Sequence, residues 1–335
     1  MISTVLLAQG DLHFSQFAAS PMTINPSSAG LFDGSIRALA NYRNQWSTLS
    51  NTPFTTSAIS IDAPLLRKIK NGMFGVGLNV YQDNVGDGNL STLKYNINVA
   101  YHLDISEPNT THYLSVGFQE GMIQRSLNGN DLSWSEQWTG RGFDNDIYSV
   151  DGNTTNSISK FDMASGVNWF YAPNNYSKFY GGLSIYHITS PNVSFYGAEE
   201  PLFKKYTLHG GFEIGKFGIE RASGGLNKIT YSPNFIYSRQ GPNRYLNVGV
   251  DVKYKLAEGS RFTDFQNEMS ISGGVYYRYG DAVYLIGRLN NWKGLTVGLS
   301  YDINVSSVPG INGGLELVLG YTVDFNSTVR ERHNL

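Results

Sequence analysis

The sequence predicts an all-β protein, a transmembrane antiparallel β-barrel of about 14 strands with an N-terminal segment that is not part of the barrel wall. Three observations carry this. Apolar and polar residues alternate at period two along most of the chain, and no stretch shows helical spacing of comparable strength. The alternating segments also mostly reach about nine residues or more, longer than soluble strands and suited to tilted crossing of a hydrocarbon layer.

The elements follow in chain order. Met1–Ala8 resembles the end of a secretory signal, an apolar run closing on a small residue, although the positively charged start of such signals is missing. An N-terminal strand is the alternative. Residues 9–34 precede the first alternating segment and are expected to lie in the periplasm or to plug the barrel. Strands are expected at 35–43, 54–62, 73–83, 91–103 and 111–124, then at 158–171, 178–190, 205–216, 227–238 and 243–254. Four more follow at 268–279, 281–289, 293–303 and 312–325, which makes 35–325 the barrel and 326–335 a tail.

The last strand is the clearest. Leu315, Leu317, Leu319, Tyr321, Val323 and Phe325 alternate with Gly314, Glu316, Val318, Gly320, Thr322 and Asp324. One set is greasy and the other mostly small or polar, so the strand has a lipid face and a lumen face. Leu299 and Asp302 fall on the corresponding faces of the strand before it. Aromatic clusters such as Tyr276–Tyr279 and Trp169–Tyr171 sit near strand ends, where interfacial girdles belong. The longest gap, 125–157, should form an outward loop, and Ala172-Pro173-Asn174-Asn175 a turn at the opposite end. A soluble β-sandwich would show the same periodicity; strand length, the export signal and the aromatic Phe325 favour the membrane.

Composition narrows the function. Only 16% of the 335 residues are charged and the net charge is -2, which offers no basic face to nucleic acid. With no cysteine there is no thiolate chemistry, Cys-ligated zinc or disulfide. The six histidines are scattered without metal-ligand spacing, and no G-x-S-x-G elbow or acid pair near a histidine points to hydrolysis. The expectation is a non-enzyme with no catalytic residue, cofactor or metal. Asp83–Asn89 carries oxygen ligands and glycines that could wrap calcium, but lacks EF-hand spacing, and an Asp-Gly hairpin turn explains it as well.

Two clusters are candidate partner-binding sites. Arg43 and Trp46, in Asn41-Tyr42-Arg43-Asn44-Gln45-Trp46, are residue types that concentrate interface energy, though a strand leaving the membrane at an aromatic belt would carry them too. Trp134, Trp138, Arg141 and Phe143 lie in the 125–157 loop. They either dock a partner or fold inward to close the barrel mouth.

The opening Gln9-Gly-Asp-Leu-His13 and the Asn41–Trp46 string, with others spread along the chain, resemble the PorP/SprF family of type IX secretion outer-membrane proteins of Bacteroidetes. Gln9-Gly-Asp-Leu-His13-Phe14-Ser15-Gln16-Phe17, Asn25-Pro26 and Ala29-Gly30 look like the family's mature opening, and NYRNQW at 41–46 is its most distinctive string. The Gly86-Asp87-Gly88 turn, Gln124–Leu127, Tyr206–Gly211, Arg278–Val283 and Gly298–Ile303 follow in order. The likeness runs from Gln9 to Phe325, with 255–267 longer than a periplasmic turn of this family should be. The resemblance implies a non-catalytic outer-membrane barrel serving protein secretion and gliding. Some members anchor the periplasmic ring of the secretion machine. Others partner one large secreted cell-surface adhesin, recognising its C-terminal signal domain for export and surface attachment, and that role is the expectation here. The alternative is a passive pore or a carrier for a hydrophobic nutrient. Cleavage after Ala8 should leave Gln9 as the mature N-terminus; mass spectrometry of the outer-membrane form checks this, and detection of Met1–Ala8 would refute it.

Overall fold

A computed structural model describes residues 11, 13–45, 53–67, 71–86, 90–128, 132–144, 146–149, 155–174, 177–195, 199–215, 229–257, 269–305 and 313–325. Residues 1–10, Trp46 and the 326–335 tail lie outside these, as does most of 255–267. The strands are β1 (Ile36–Gln45), β2 (Phe54–Arg67), β3 (Gly72–Val85), β4 (Leu90–Asp104) and β5 (Thr111–Asn128). They continue as β6 (Thr155–Asn174), β7 (Ser177–Tyr186), β8 (Lys205–Gly215), β9 (Ile229–Gln240) and β10 (Asn243–Ala257). β11 (Met269–Arg278), β12 (Ala282–Trp292), β13 (Leu295–Asn304) and β14 (Gly314–Val323) complete the set. Every sequence neighbour pairs antiparallel, and β1 closes on β14 from Ile36↔Val323 to Gln45↔Gly314. No sheet edge is left, which is what hydrocarbon demands of a β-structure, because an unpaired peptide group there has no water to bind.

The two faces separate as the alternation requires. Along β14 buried and exposed residues alternate from Gly314 to Tyr321. Leu317, Leu319 and Leu299 face outward, while Glu316 and Asp302 are buried in the lumen. Asp324, expected in the lumen, lies exposed past the end of β14, with one carboxylate oxygen accepting from the Ser35 hydroxyl at 3.2 Å. The aromatic girdle is also only half realised at 276–279. Tyr277 and Tyr279 are exposed, but Tyr276 points inward and stacks on Tyr284 with ring centroids 5.2 Å apart.

All fourteen expected segments form strands, with shifted ends. β7 stops at Tyr186 instead of 190, because His187 and Ser190 take φ of 58° and 43° and the chain turns. Pro173 belongs to β6, not to a turn. Lacking an N–H, it sits where the register slips between Tyr171 and Asn174. The β12–β13 turn is tight; Lys293 and Gly294 both have positive φ, the two-residue geometry that matches strand twist.

β1 and β14 meet at the end where β2–β3, β4–β5 and β6–β7 have short turns. The long connections 129–154 and 187–204 lie at the other end, which by the usual barrel rule faces outward. β5 and β6, 18 and 20 residues long, exceed the roughly 9–11 that cross the membrane and so carry the 129–154 loop beyond it.

Arginine at Leu319, which is 45% exposed in the middle of β14, should destabilise the barrel by about 2–4 kcal/mol. Equilibrium unfolding in lipid measures it. Val318 next to it is no tolerant control: it is 1% exposed, so arginine there would overpack the lumen. Leu319→Phe, which keeps the face apolar, should cost less than 1 kcal/mol; equal loss in both variants would refute the assigned lipid face.

Candidate functional site: a plugged lumen with an outer vestibule

Residues 13–34 lie inside the barrel. They enter at the outer mouth, descend along the lumen and leave at the periplasmic rim to begin β1. Three groups of contacts fix this path.

At the outer end, Asp11 is clamped by residues of β4, β8 and β9 and by His187 just past the end of β7. Its carboxylate meets Lys94 Nζ at 2.5 Å, Lys205 Nζ at 3.0 Å and His187 Nε2 at 2.9 Å, and its N–H donates to Gln240 Oε1 at 2.7 Å. Burial alone would push the Asp11 carboxyl up; Lys205, Lys94 and His187 hold it well below the usual range, so it is charged.

One turn further in, two lumen carboxylates capture the plug backbone. Glu316 accepts from the N–H of Ser15 at 2.7 Å and of Gln16 at 2.9 Å. Asp302 accepts from the Ser15 hydroxyl at 2.8 Å and pairs with Arg43 at 2.9 Å and Arg278 at 2.5 Å. Arg43 also donates to the His13 carbonyl, and Tyr284 to that of Ser15 at 2.9 Å. Ser15 and Gln16 are therefore held from four strands, β11 through Arg278, β12 through Tyr284, β13 through Asp302 and β14 through Glu316, while β1 holds His13 through Arg43.

The lower plug is held by fit. Asn25 caps the helical turn Pro26–Ser28, its Oδ1 accepting from Ser27 N–H at 3.1 Å, while its amide donates to the Val167 carbonyl at 2.9 Å. His102 donates Nε2–H to the Ala29 carbonyl at 2.8 Å, which leaves Nδ1 to accept from Ser115 at 2.7 Å. At the periplasmic rim Asp62 accepts from Gly30 N–H at 2.8 Å and takes both arms of Arg37. Glycines line this socket because nothing larger fits. A Cβ on Gly75 would stand 1.9 Å from the Ala29 carbonyl oxygen, and one on Gly117 2.3 Å from the Ser27 nitrogen.

Above the plug a vestibule of about 450 Å³ remains at the outer mouth. Its wall carries Arg43, Arg278, Lys205 and Arg244 against Asp11, Asp83 and Asp281. Arg43 Nε is buried there without a partner, and Arg244 is exposed.

The expected partner-binding residues separate into two places. Arg43 is 2% exposed and serves the plug and the vestibule wall. Trp138, Arg141 and Phe143 come together in a small hairpin of the outer loop. Trp138 bridges Phe143 with ring centroids 5.1 Å apart, Thr139 N–H donates to the Gly142 carbonyl at 2.9 Å, and Gly140 at φ 87° lets the chain turn. Trp138 and Phe143 are 52% and 55% exposed and Arg141 is exposed, so none of the three is packed into a plug. Trp134 is half-buried beside them. Residues 13–34 fill the lumen below this loop. Asp83, part of the candidate calcium turn, sits in β3 and accepts from the Thr56 hydroxyl at 2.6 Å, and no metal-holding group of His, Asp and Glu occurs among the described residues.

Sequence reasoning missed the plug's anchors. Glu316 and Asp302 were visible as charges on a lumen face, and Gly75 and Gly117 as inward glycines. Their shared partner became visible only with the fold.

The fold and site define an outer-membrane β-barrel whose lumen is filled by its own N-terminal segment. The family model for the type IX secretion system membrane protein PorP/SprF matches residues 6–321, and the chain belongs to that family. No curated protein matches. Among solved structures, the Ralstonia pickettii toluene transporter TbuX is similar at 11% identity and a TM-score of 0.48, over 92% of this chain and 94% of that one. The Pseudomonas putida toluene transporter TodX is similar at 10% identity and 0.48 over 95% of each, and a Pseudomonas aeruginosa FadL homologue at 10% and 0.47 over 92% and 94%.

Valine at Gly117 should be incompatible with the seated plug and cost at least about 1–3 kcal/mol, since a rigid backbone and not a flexible side chain blocks it. Valine at Gly287, an exposed position with nothing within 4 Å of its Cβ, should be neutral or slightly stabilising. Midpoints of urea unfolding in detergent compare the two, and equal midpoints would show that the socket is not tight.

Proposed function

We propose that this protein is a receptor barrel of the type IX system, holding a large exported adhesin at the cell surface by the adhesin's C-terminal signal domain. The observation that supports the reading most is the asymmetry of the lumen. Below, the plug is seated against backbone and sealed by buried ion pairs; above, a vestibule lined by both charged and aromatic side chains stands open near an aromatic-tipped loop. A ligand arriving from outside meets a concave, charged pocket, and one arriving from the periplasm meets the end of a plug.

That asymmetry is poorly suited to a passive pore. Conduction would require extracting 13–34 past glycines that leave no slack, and exposing Glu316, Asp302, Arg43 and Arg278 without their plug partners. A surface anchor needs neither. Trp138, Arg141 and Phe143 form the outer contact in this reading, with Trp134 bracing the hairpin and the vestibule accepting a short polar segment of the signal domain. Tryptophan, arginine and phenylalanine supply the rigid apolar area and fork-like donors that dominate interface energies.

Replacing Trp138, Arg141 and Phe143 together by alanine should lower adhesin on the cell surface at least tenfold while the barrel stays at normal abundance in the outer membrane. Antibody labelling of intact cells and quantitation of the barrel measure both. Normal display at normal abundance would refute the loop as the dock and leave a role at the periplasmic end, such as anchoring the secretion ring, as the better reading.

A further inference from the structure

The lipid-facing wall of the barrel is not uniform. Gly181 on β7 and Gly210 on β8 lie opposite each other, and with Pro233 on β9 they floor a groove of about 730 Å³. Trp169 on β6 walls one side and Val248 on β10 the other, with Leu183, Leu208, Phe212 and Phe235 above and below. The floor spans three neighbouring strands, about 10 Å at the usual spacing.

Packing within the wall does not demand the glycine at 181. A Cβ there would meet only the His209 carbonyl oxygen, at an ordinary 3.5 Å. The space outside it is open. Pro233 adds a second irregularity. It has no N–H to give to β8, and the β8–β9 ladder stops at Gly211↔Asn234 and resumes at Ile214↔Tyr231.

Depth and rim chemistry narrow the occupant. Gly181 and Pro233 each stand four residues from the periplasmic start of their strands and Gly210 five from the periplasmic end of β8, so the groove floor is within five residues of the periplasmic end on all three strands. Trp169, level with Gly181 in the β6–β7 register, ties the wall to an interfacial cluster below it: it donates Nε1–H to His112 at 2.8 Å and stacks on Tyr171, which pairs with Phe179 nearer the periplasmic end. Amphipathic rings of this kind sit at headgroup level. The groove thus opens at the headgroups and rises into hydrocarbon. A transmembrane helix, about 10–12 Å across, would ride on the aromatic walls without reaching the glycine floor. An acyl chain is narrow enough, and the volume lies within the roughly 300–1,000 Å³ of small-molecule sites.

We propose that this groove is a specific site for one acyl chain of a phospholipid of the periplasmic leaflet, distinct from the general lipid surround. Gly181→Phe fills the groove without an inward clash and places a better strand former there, so the barrel folds. Gly287→Phe adds the same ring on an open, exposed part of β12 and is the control. Phe235→Ala removes a wall without adding bulk. Each protein is stripped of lipid in detergent, incubated with palmitoyl-oleoyl phosphatidylethanolamine and weighed by native mass spectrometry. The wild type and Gly287→Phe should retain one phospholipid, and Gly181→Phe and Phe235→Ala should show at least tenfold lower occupancy. Equal occupancy in wild type and Gly181→Phe, or no retained phospholipid in the wild type, would overturn the proposal. So would retention of a lipid-modified protein in place of phospholipid.

Discussion

Closure is the constraint on which the rest of this structure depends. Fourteen strands in hydrocarbon must pair all round, because a free edge would leave a row of peptide groups without partners. A closed barrel of that number encloses more space than its inward side chains fill, and a lumen wider than its own side chains either holds water or takes in another element. Here the chain's own N-terminal segment is that element. The inward glycines follow from it: at Gly75 and Gly117 the wall gives up side chains so that plug backbone can approach, and at Gly166 so that the Asn25 side chain can.

The upper plug is held by different physics. Glu316, Asp302, Arg43 and Arg278 are all nearly inaccessible, and burying four charges is costly unless each finds opposite charge or strong donors. Asp302 pairs with both arginines within the wall, but the Glu316 carboxylate is satisfied by the N–H groups of Ser15 and Gln16, and Asp302 gains the Ser15 hydroxyl, so the cluster is complete only with the plug in place. Such a cluster adds little net stability over a greasy core of the same shape, but losing one partner leaves a buried charge exposed to low dielectric. It therefore selects one register of the plug over neighbouring ones. Fit in the lower half and charge in the upper half act on the same short segment, and together they leave the vestibule as the accessible part of the lumen.

These divisions were unequally legible in the sequence. Strand positions and lipid faces were readable because period two is enforced by water and hydrocarbon on opposite sides of every strand, and Leu317, Leu319 and Leu299 obey it. Strand ends were not, because they depend on local backbone geometry such as the positive φ of His187, or on the bulge at Pro173. Tyr276 could not be assigned to a face by its type: its hydroxyl and ring suit a membrane interface and a buried stack equally, and only the strand phase, shared with Arg278, places it inward. Arg43 was visible as an unusual residue near a strand end. Its true environment depends on Asp302 and His13, which are remote in sequence, so no local pattern could reveal it.

The path of the plug also constrains how the barrel is made. Gly34 leaves the lumen at the periplasmic rim directly into β1, while Asp11 sits at the outer mouth, so the segment lies alongside the strand it precedes. If the barrel closed first, 13–34 would have to be threaded upward through a lumen whose glycines allow no slack. The contacts favour the reverse. Ser15 and Gln16 bind Glu316 on β14, and Arg43 on β1 reaches Asp302 on β13, so the plug and the β1–β14 seam share partners. Joining those strands satisfies the Glu316 carboxylate only when Ser15 and Gln16 are already beside it. Closure and plugging are in this sense one event, and the last strands to pair do so around a segment already in place.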